Sequence, residues 1–133
     1  MAEQRAEMDA SQAASALEAA TVQLQHASDR LDEATRWKSG THVQGILRVG
    51  LYEQALLSEH VLGTAADAAE AAHVSCLQTH RARCDRLLEA RRALEVADRR
   101  LERVQVSITE ATERRASDDA ADLWLSRRLH AER

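Results

Sequence analysis

Apolar residues recur at alternating steps of three and four from Leu87 to Ala111, and most positions between them are charged. The apolar positions are Leu87, Ala90, Leu94, Ala97, Leu101, Val104, Ile108 and Ala111. A heptad spacing of this kind is typical of a helix that packs against another helix along one narrow stripe. The segment is therefore predicted to be a helix that needs a partner.

A second stripe with the same spacing lies nearer the start of the chain. Its members are Ala6, Ala10, Ala13, Leu17, Ala20, Leu24, Ala27, Leu31 and Ala34. Because alanine occupies most of these positions, the backbone of a partner helix can approach closely, as in tightly packed antiparallel helix pairs. The pattern predicts a first helix over about residues 3–38, with Leu17, Leu24 and Leu31 in its seam.

The residues around Gly40 have the signals of a helix end followed by a restart. Basic residues precede Gly40, which is expected to take the left-handed conformation of a C-cap. Thr41 and Gln44 have the spacing of a capping box. We therefore predict a helix–helix turn at about residues 39–41, with Trp37 packed locally beside it.

The second helix is predicted over about residues 42–131, with its seam continuing the steps of three and four. This seam would run through Leu47, Leu51, Gln54, Ser58, Val61, Ala65, Ala68 and Ala72. A stutter between Ala68 and His80 would then connect it to the stripe that starts at Leu87. A fold at Gly40 on this register would bring Ala34 near Leu47.

Gly63, followed by Thr64, is an alternative break that would divide the chain into two nearly equal arms. We favour a continuous second helix because the seam passes through Ala65 without a change of phase.

Composition supports an elongated helical protein rather than a compact one. The 133 residues include no Pro and no Phe, only 2% are aromatic and 30% are charged, which leaves little material for a large core. The predicted fold class is all-α: one antiparallel two-helix coiled-coil hairpin with a longer second helix. At 1.5 Å per residue the two helices would extend roughly 50 and 135 Å, so the stripe beyond Leu87 has no partner within the chain.

Charge and motifs exclude several classes of function. The formal charge is −4, and the basic residues after position 80 are interleaved with Asp and Glu, which argues against nucleic-acid binding. No signal peptide or membrane span is expected, and two cysteines suit a reducing, cytoplasmic compartment. No phosphate-binding loop, nucleophile elbow or metalloprotease motif is found, so we expect neither enzymatic activity nor a cofactor.

The one group of residues with ligand-like spacing is His73, Cys76, His80 and Cys84. One straight helix cannot place four ligands tetrahedrally around a zinc ion. We interpret these residues as small polar members of the seam and expect no metal.

The C-terminal segment carries an unusual apolar and basic cluster. Three acidic residues precede Leu123, Trp124 and Leu125, and Arg127 and Arg128 follow. These three apolar side chains point in directions about 100° apart on a helix, so they cannot all lie in one seam. Trp and Arg dominate the energetics of protein interfaces, which favours a docking role.

The layout resembles the FliJ/YscO (SctO) family of type III secretion and flagellar export stalk proteins. The shared features are a hairpin with a longer second arm, the run Tyr52-Glu53-Gln54-Ala55-Leu56-Leu57 soon after the turn, a charged Arg- and Leu-rich middle, and the acidic-aromatic element Asp118-Asp119-Ala120-Ala121-Asp122-Leu123-Trp124. The resemblance covers most of residues 40–130. The first helix is shorter here than in the family pattern.

The resemblance implies a cytoplasmic stalk, peripheral to the inner-membrane export apparatus of a flagellar or virulence system. Its partners would be a hexameric secretion ATPase, the cytoplasmic ring of the export gate and secretion chaperones. Carried onto this chain, Tyr52 and Leu56 would face the gate. Leu123, Trp124, Arg127 and Arg128 would enter the ATPase pore.

The alternative from the residues alone is a homo-oligomeric coiled-coil scaffold or adaptor unrelated to secretion. In that case the stripe from Leu87 to Ala111 would pair with another copy of itself.

Overall fold

The computed structural model describes residues 1–40, 42–43, 46–47 and 49–133. Helix α1 spans Ala2–Ser39 and helix α2 spans Val49–Ala131. Two short strands lie between them, β1 at His42–Val43 and β2 at Ile46–Leu47. The predicted all-α helical hairpin with a longer second helix is confirmed.

The connection between the helices differs from the predicted turn. Strands β1 and β2 pair antiparallel, with His42 opposite Leu47 and Val43 opposite Ile46, so α2 begins at Val49 and not at residue 42. These backbone hydrogen bonds hold Leu47 in a strand, and the predicted seam position there was wrong.

Gly40 ends α1 without a left-handed residue, contrary to the prediction. Its φ is −76° and its ψ −4°, in the right-handed helical region. Its N–H donates to the carbonyl groups of Arg36, at 3.1 Å, and Trp37, at 3.0 Å. This tightening of the last turn satisfies the helix end, so positive φ is not required. The capping box proposed for Thr41 and Gln44 lies outside the described residues.

The chain divides into two compact units, Met1–Ala90 and Arg91–Arg133. In the first unit, α1 turns its predicted stripe inward. All nine positions from Ala6 to Ala34 are buried or half-buried, and Ala10, Ala13 and Ala20 are the most buried of them. The predicted seam of α1 is therefore confirmed along its whole length.

The seam of α2 lies one residue away from its predicted register. The predicted positions from Leu51 to Ala72 are all exposed, and Ala55 is fully buried. Besides Gly63, Leu77 and Cys84, which are half-buried beside the seam, the covered residues of α2 are Tyr52, Ala55, Glu59, Leu62, Ala66, Ala69, His73, Cys76, His80, Arg83, Leu87 and Ala90. Only these twelve form the seam. Their spacing alternates strictly between three and four, so the predicted stutter is absent and the same register reaches Leu87 unbroken.

Ion pairs between described residues show how α1 lies against α2. Lys38 Nζ is 2.6 Å from Glu59 Oε2, and Asp9 Oδ2 is 3.3 Å from Arg83 Nη1. Their order is reversed between the helices, which makes the packing antiparallel. Because Lys38 pairs with Glu59 and the helices are antiparallel, Ala34 lies opposite residues of α2 that follow Glu59, whereas the predicted register placed it near Leu47.

Helix α2 passes through Gly63 without a break, as we favoured. The hydroxyl of Thr64 donates to the carbonyl of His60 at 3.0 Å, within the same helix, and does not cap a new one. The equal-arm alternative is thereby excluded.

In the second unit, α2 continues to Ala131 and every residue from Arg91 to Arg133 is exposed. Ion pairs four residues apart, Glu95–Arg99, Glu110–Arg114 and Arg128–Glu132, support the helix along its surface. Within the part of the chain that the structure describes, no helix is both long and apolar enough to cross a membrane.

Candidate partner-binding surfaces

The eight predicted seam residues fall into two groups. Leu17, Leu24, Leu31 and Leu87 are half-buried in the first unit, where the two helices pack. The other four are exposed in the second unit: Leu94, Leu101, Val104 and Ile108. The same heptad spacing thus serves internal packing in one unit and forms an open surface in the other.

The Lys38–Glu59 pair is more enclosed than the Asp9–Arg83 pair. Both side chains are about three-quarters covered, and both residues occupy seam positions of their helices. A hydrogen bond to the Glu59 carboxylate raises the pKa of Lys38 above its ordinary 10.5, against the lowering effect of desolvation. The charges of Glu59 and Tyr52 add to the upward shift of this pKa.

The sign of this shift determines its effect on stability. A lysine whose pKa is higher in the folded than in the unfolded state stabilises the fold fully below the unfolded pKa. The stabilisation by Lys38 is then lost as the pH rises above 10.5, through the folded-state pKa.

The two residues that the resemblance assigns to the export gate have different environments. Tyr52 is half-buried in the seam register, whereas Leu56 is exposed. Leu57 and Val61 are also exposed, so an apolar surface follows the start of α2. Leu56, rather than Tyr52, therefore has a side chain that a partner can reach without displacing the α1–α2 packing.

Trp37 lies beside a shallow hollow next to the helix connection. The hollow has a volume of about 530 Å³ and is lined by Glu33, Arg36, Trp37, Gly40 and Leu51. Trp37 remains 49% exposed, so about half of its surface is covered. The predicted local packing of Trp37 is therefore partial.

The exposed part of the heptad stripe in the second unit runs from Leu94 to Ala111, and we call it the open stripe. Its larger members are roughly half exposed or more, for example 56% for Leu101 and 59% for Ile108. Side chains of this size normally contribute about 1.5–3 kcal/mol each when they are buried fully. No described residue of the second unit covers them.

A second exposed apolar group lies near the end of α2, and we call it the Trp124 cluster. It comprises Leu123, Trp124, Leu125 and Leu129, each more than half exposed. The guanidinium carbon of Arg128 is 5.2 Å from the centre of the Trp124 ring, and Arg128 Nε is 3.5 Å from Glu132 Oε1. The Arg128 guanidinium therefore lies over the Trp124 ring in a cation–π contact, and the residue still remains 57% exposed.

Arg127, the fourth residue that the resemblance assigns to the ATPase, lies on the same turn and is exposed. The structure thus brings all four predicted ATPase-facing residues to one stretch of α2.

Three of the four α2 residues with ligand-like spacing occupy the packed seam. His73, Cys76 and His80 are half-buried at consecutive seam positions, and Cys84 Sγ is 3.6 Å from His80 Nε2. Among the described residues there is no group of three or more His, Cys, Asp or Glu side chains placed to hold a metal ion. Both cysteines are free thiols.

No protein-family model matches the chain, and no curated protein or solved structure is significantly similar to it.

Sequence reasoning missed Lys38, Glu59 and Arg83 as seam residues. A signal for them was present: counting back from Leu87 in steps of four and three reaches Arg83 first and Glu59 later. The charged and polar residues on this path concealed the register. Each of these charged seam residues is paired with an opposite charge on the other helix, so its presence in the seam is compatible with helix packing.

Proposed function

We propose that this chain is a central stalk or adaptor of a type III secretion export apparatus, linking the hexameric secretion ATPase to the export gate. One observation carries the proposal: the second unit has regularly spaced apolar residues and an exposed Trp124 cluster, yet none of its residues is buried. A helix with these surfaces is suited to be covered by another protein.

The physical role of such a stalk is mechanical. The proposed role requires no catalytic or metal-binding group from the described residues. Helix α2 acts as a support that carries the proposed docking residues. An asymmetric helix inside a six-fold ring contacts the six subunits unequally. It thereby favours ATP hydrolysis at one subunit interface over the others and couples turnover to the gate.

The Trp124 cluster is the surface that we assign to the ATPase. Trp124 offers a large apolar ring with little conformational entropy to lose, and Arg127 and Arg128 place positive charge beside it. Truncation of a central Trp at an interface commonly costs about 2 kcal/mol or more, which corresponds to at least about a 30-fold loss of affinity.

The experiment measures complex formation and ATP hydrolysis with the cognate secretion ATPase. We expect the chain to co-elute with the ATPase and to change its hydrolysis rate, and Trp124→Ala to abolish most of both effects. Trp37→Ala is the matched control, because Trp37 is 49% exposed against 57% for Trp124 but lies in the first unit. The absence of a complex, or equal effects of the two variants, would contradict the proposal.

The gate-facing surface needs a separate test. Leu56→Asp should weaken binding to the cytoplasmic ring of the export gate while the helix content is retained. Val74→Asp is its control, since Val74 lies on the same helix with a similar exposure, 46% against 42% for Leu56. Equal binding by both variants would remove Leu56 from the interface.

The second candidate function is a homo-oligomeric scaffold. It is favoured by one observation, the open stripe, which has the apolar spacing of a coiled-coil seam without a partner in the second unit. Under that function neither the wild type nor the Trp124→Ala variant would form a specific complex with the ATPase.

A further inference from the structure

We propose that the open stripe from Leu94 to Ala111 pairs antiparallel with the same stripe of a second copy when the chain is free of other partners. This inference goes beyond the stalk function and does not depend on it. The proposed partner is a second copy of this chain. When the two stripes run in opposite directions, their side-chain sizes and net charges are complementary.

Side-chain size is the first argument. Consider an antiparallel pair whose centre lies between Leu101 and Val104. Leu101 of each copy then faces Val104 of the other copy, which gives two adjacent central layers. Ala97 then faces Ile108, and Leu94 faces Ala111, so that each small residue meets a large one. Every layer from 94 to 111 is apolar on both sides, as a packed seam requires.

A parallel, in-register pair is less well packed. It would place Ala97 against Ala97 and Ala111 against Ala111, while the leucines crowd other layers. Ala–Ala layers next to Leu–Leu layers leave unfilled space, which loses dispersion contacts.

Charge is the second argument, and it also depends on direction. Residues 91–100 contain four Arg and two acidic residues, a formal charge of 4 − 2 = +2. Residues 105–114, which face them in the antiparallel pair, contain two Glu and one Arg, a formal charge of 1 − 2 = −1. The antiparallel pair thus sets a segment of net positive charge against one of net negative charge, whereas the parallel pair would set the +2 segment against its own copy.

The first unit contains a precedent for this packing. There the Ala- and Leu-containing stripe of α1 is covered by α2 running antiparallel, with Ala10, Ala13 and Ala20 buried most deeply. The open stripe has the same spacing and the same mixture of small and large residues. Its members therefore have the side-chain sizes that this chain already packs in an antiparallel pair.

The first experiment measures the mass of the full chain by sedimentation equilibrium over a wide range of concentrations. We expect a reversible monomer–dimer equilibrium. Leu101→Glu should weaken it by about 100-fold, because each dimer loses two leucines and gains two carboxylates at the centre of the interface. Val106→Glu is the matched control: Val106 is 56% exposed, as is Leu101, but lies off the stripe, and we expect less than about a threefold change.

Helix content from circular dichroism shows that both variants remain folded. A chain that is monomeric at every concentration, or a dimer that Val106→Glu weakens as strongly as Leu101→Glu does, would overturn the proposal.

The second experiment determines the direction of the helices by disulfide trapping in a Cys76→Ser, Cys84→Ser background. The variant carrying both Leu94→Cys and Ala111→Cys should form a covalent dimer on mild oxidation. The variant with Leu94→Cys alone should stay monomeric under denaturing, non-reducing conditions. Efficient cross-linking through Leu94→Cys alone would overturn the antiparallel arrangement.

Discussion

Two adjacent alanines of α2, Ala68 and Ala69, provide a sharp test of the helix register. Ala69 lies in the packed seam and is half-buried, whereas Ala68 is exposed one position away. An aspartate at either site loses roughly 0.7 kcal/mol of helix propensity relative to alanine, so this cost cancels between the two variants. Ala69→Asp also places a short carboxylate against an apolar seam, at an additional cost of about 1–2 kcal/mol.

The assay is thermal and urea unfolding followed by circular dichroism at 222 nm, at pH 8. The first compact unit spans Met1–Ala90, and for a cooperative unit of that size 1 kcal/mol corresponds to about 4–8 °C in Tm. We therefore expect the Tm of Ala69→Asp to lie at least about 4 °C below that of Ala68→Asp. Equal losses of stability, or a larger loss for Ala68→Asp, would refute the register and restore the one that starts from Leu51.

Three further predictions concern the same unit. Gly63→Ala should raise the free energy of unfolding by about 0.5–1 kcal/mol, because a Cβ there meets no atom within 4 Å and glycine is costly in a helix interior; Gly50→Ala, in the first turn, should gain less in the same unfolding assay. His73→Leu should raise the free energy of unfolding in urea by about 0.5–1 kcal/mol, since a half-buried polar ring is exchanged for an apolar side chain of similar volume; an unchanged or lower free energy of unfolding would count against its seam position. Lys38→Met should lower Tm near neutral pH, and its deficit relative to the wild type should shrink as the pH rises above 10.5, where the wild type loses the Lys38–Glu59 pair; a deficit independent of pH would show that the charge is not the cause.

Much of the candidate site can be predicted from the sequence. The sequence predicts that Leu123, Trp124 and Leu125 cannot all share one seam, because they are adjacent on a helix, and all three are exposed in the structure. The open stripe was recognised because charged residues separate its members so clearly. Local spacing suffices for both features, since each is a property of a single helix.

The register of α2 could not be read in the same way. In the stretch Ala65-Ala66-Asp67-Ala68-Ala69 two interleaved sets of alanines satisfy the heptad spacing equally well, one residue apart. The set that is covered in the structure includes Glu59 and Arg83. Charged residues of this kind are normally expected at the surface. Only contact with Lys38 and Asp9 of α1 explains why charged side chains occupy seam positions.

Helicity, the stripe of α1 and the uninterrupted passage through Gly63 follow from the chain alone, because they depend on residues within a few turns of one another. The strand pair at the connection, the start of α2 at Val49 and the alignment of the two helices depend on partners far apart in the chain. Hydrogen bonds and ion pairs between distant residues select one alignment among several that have similar apolar spacing. Tertiary structure makes that selection. A one-residue shift of α2 moves the contact face about 100° around the helix, so that a different set of residues, each one position away in the sequence, becomes covered.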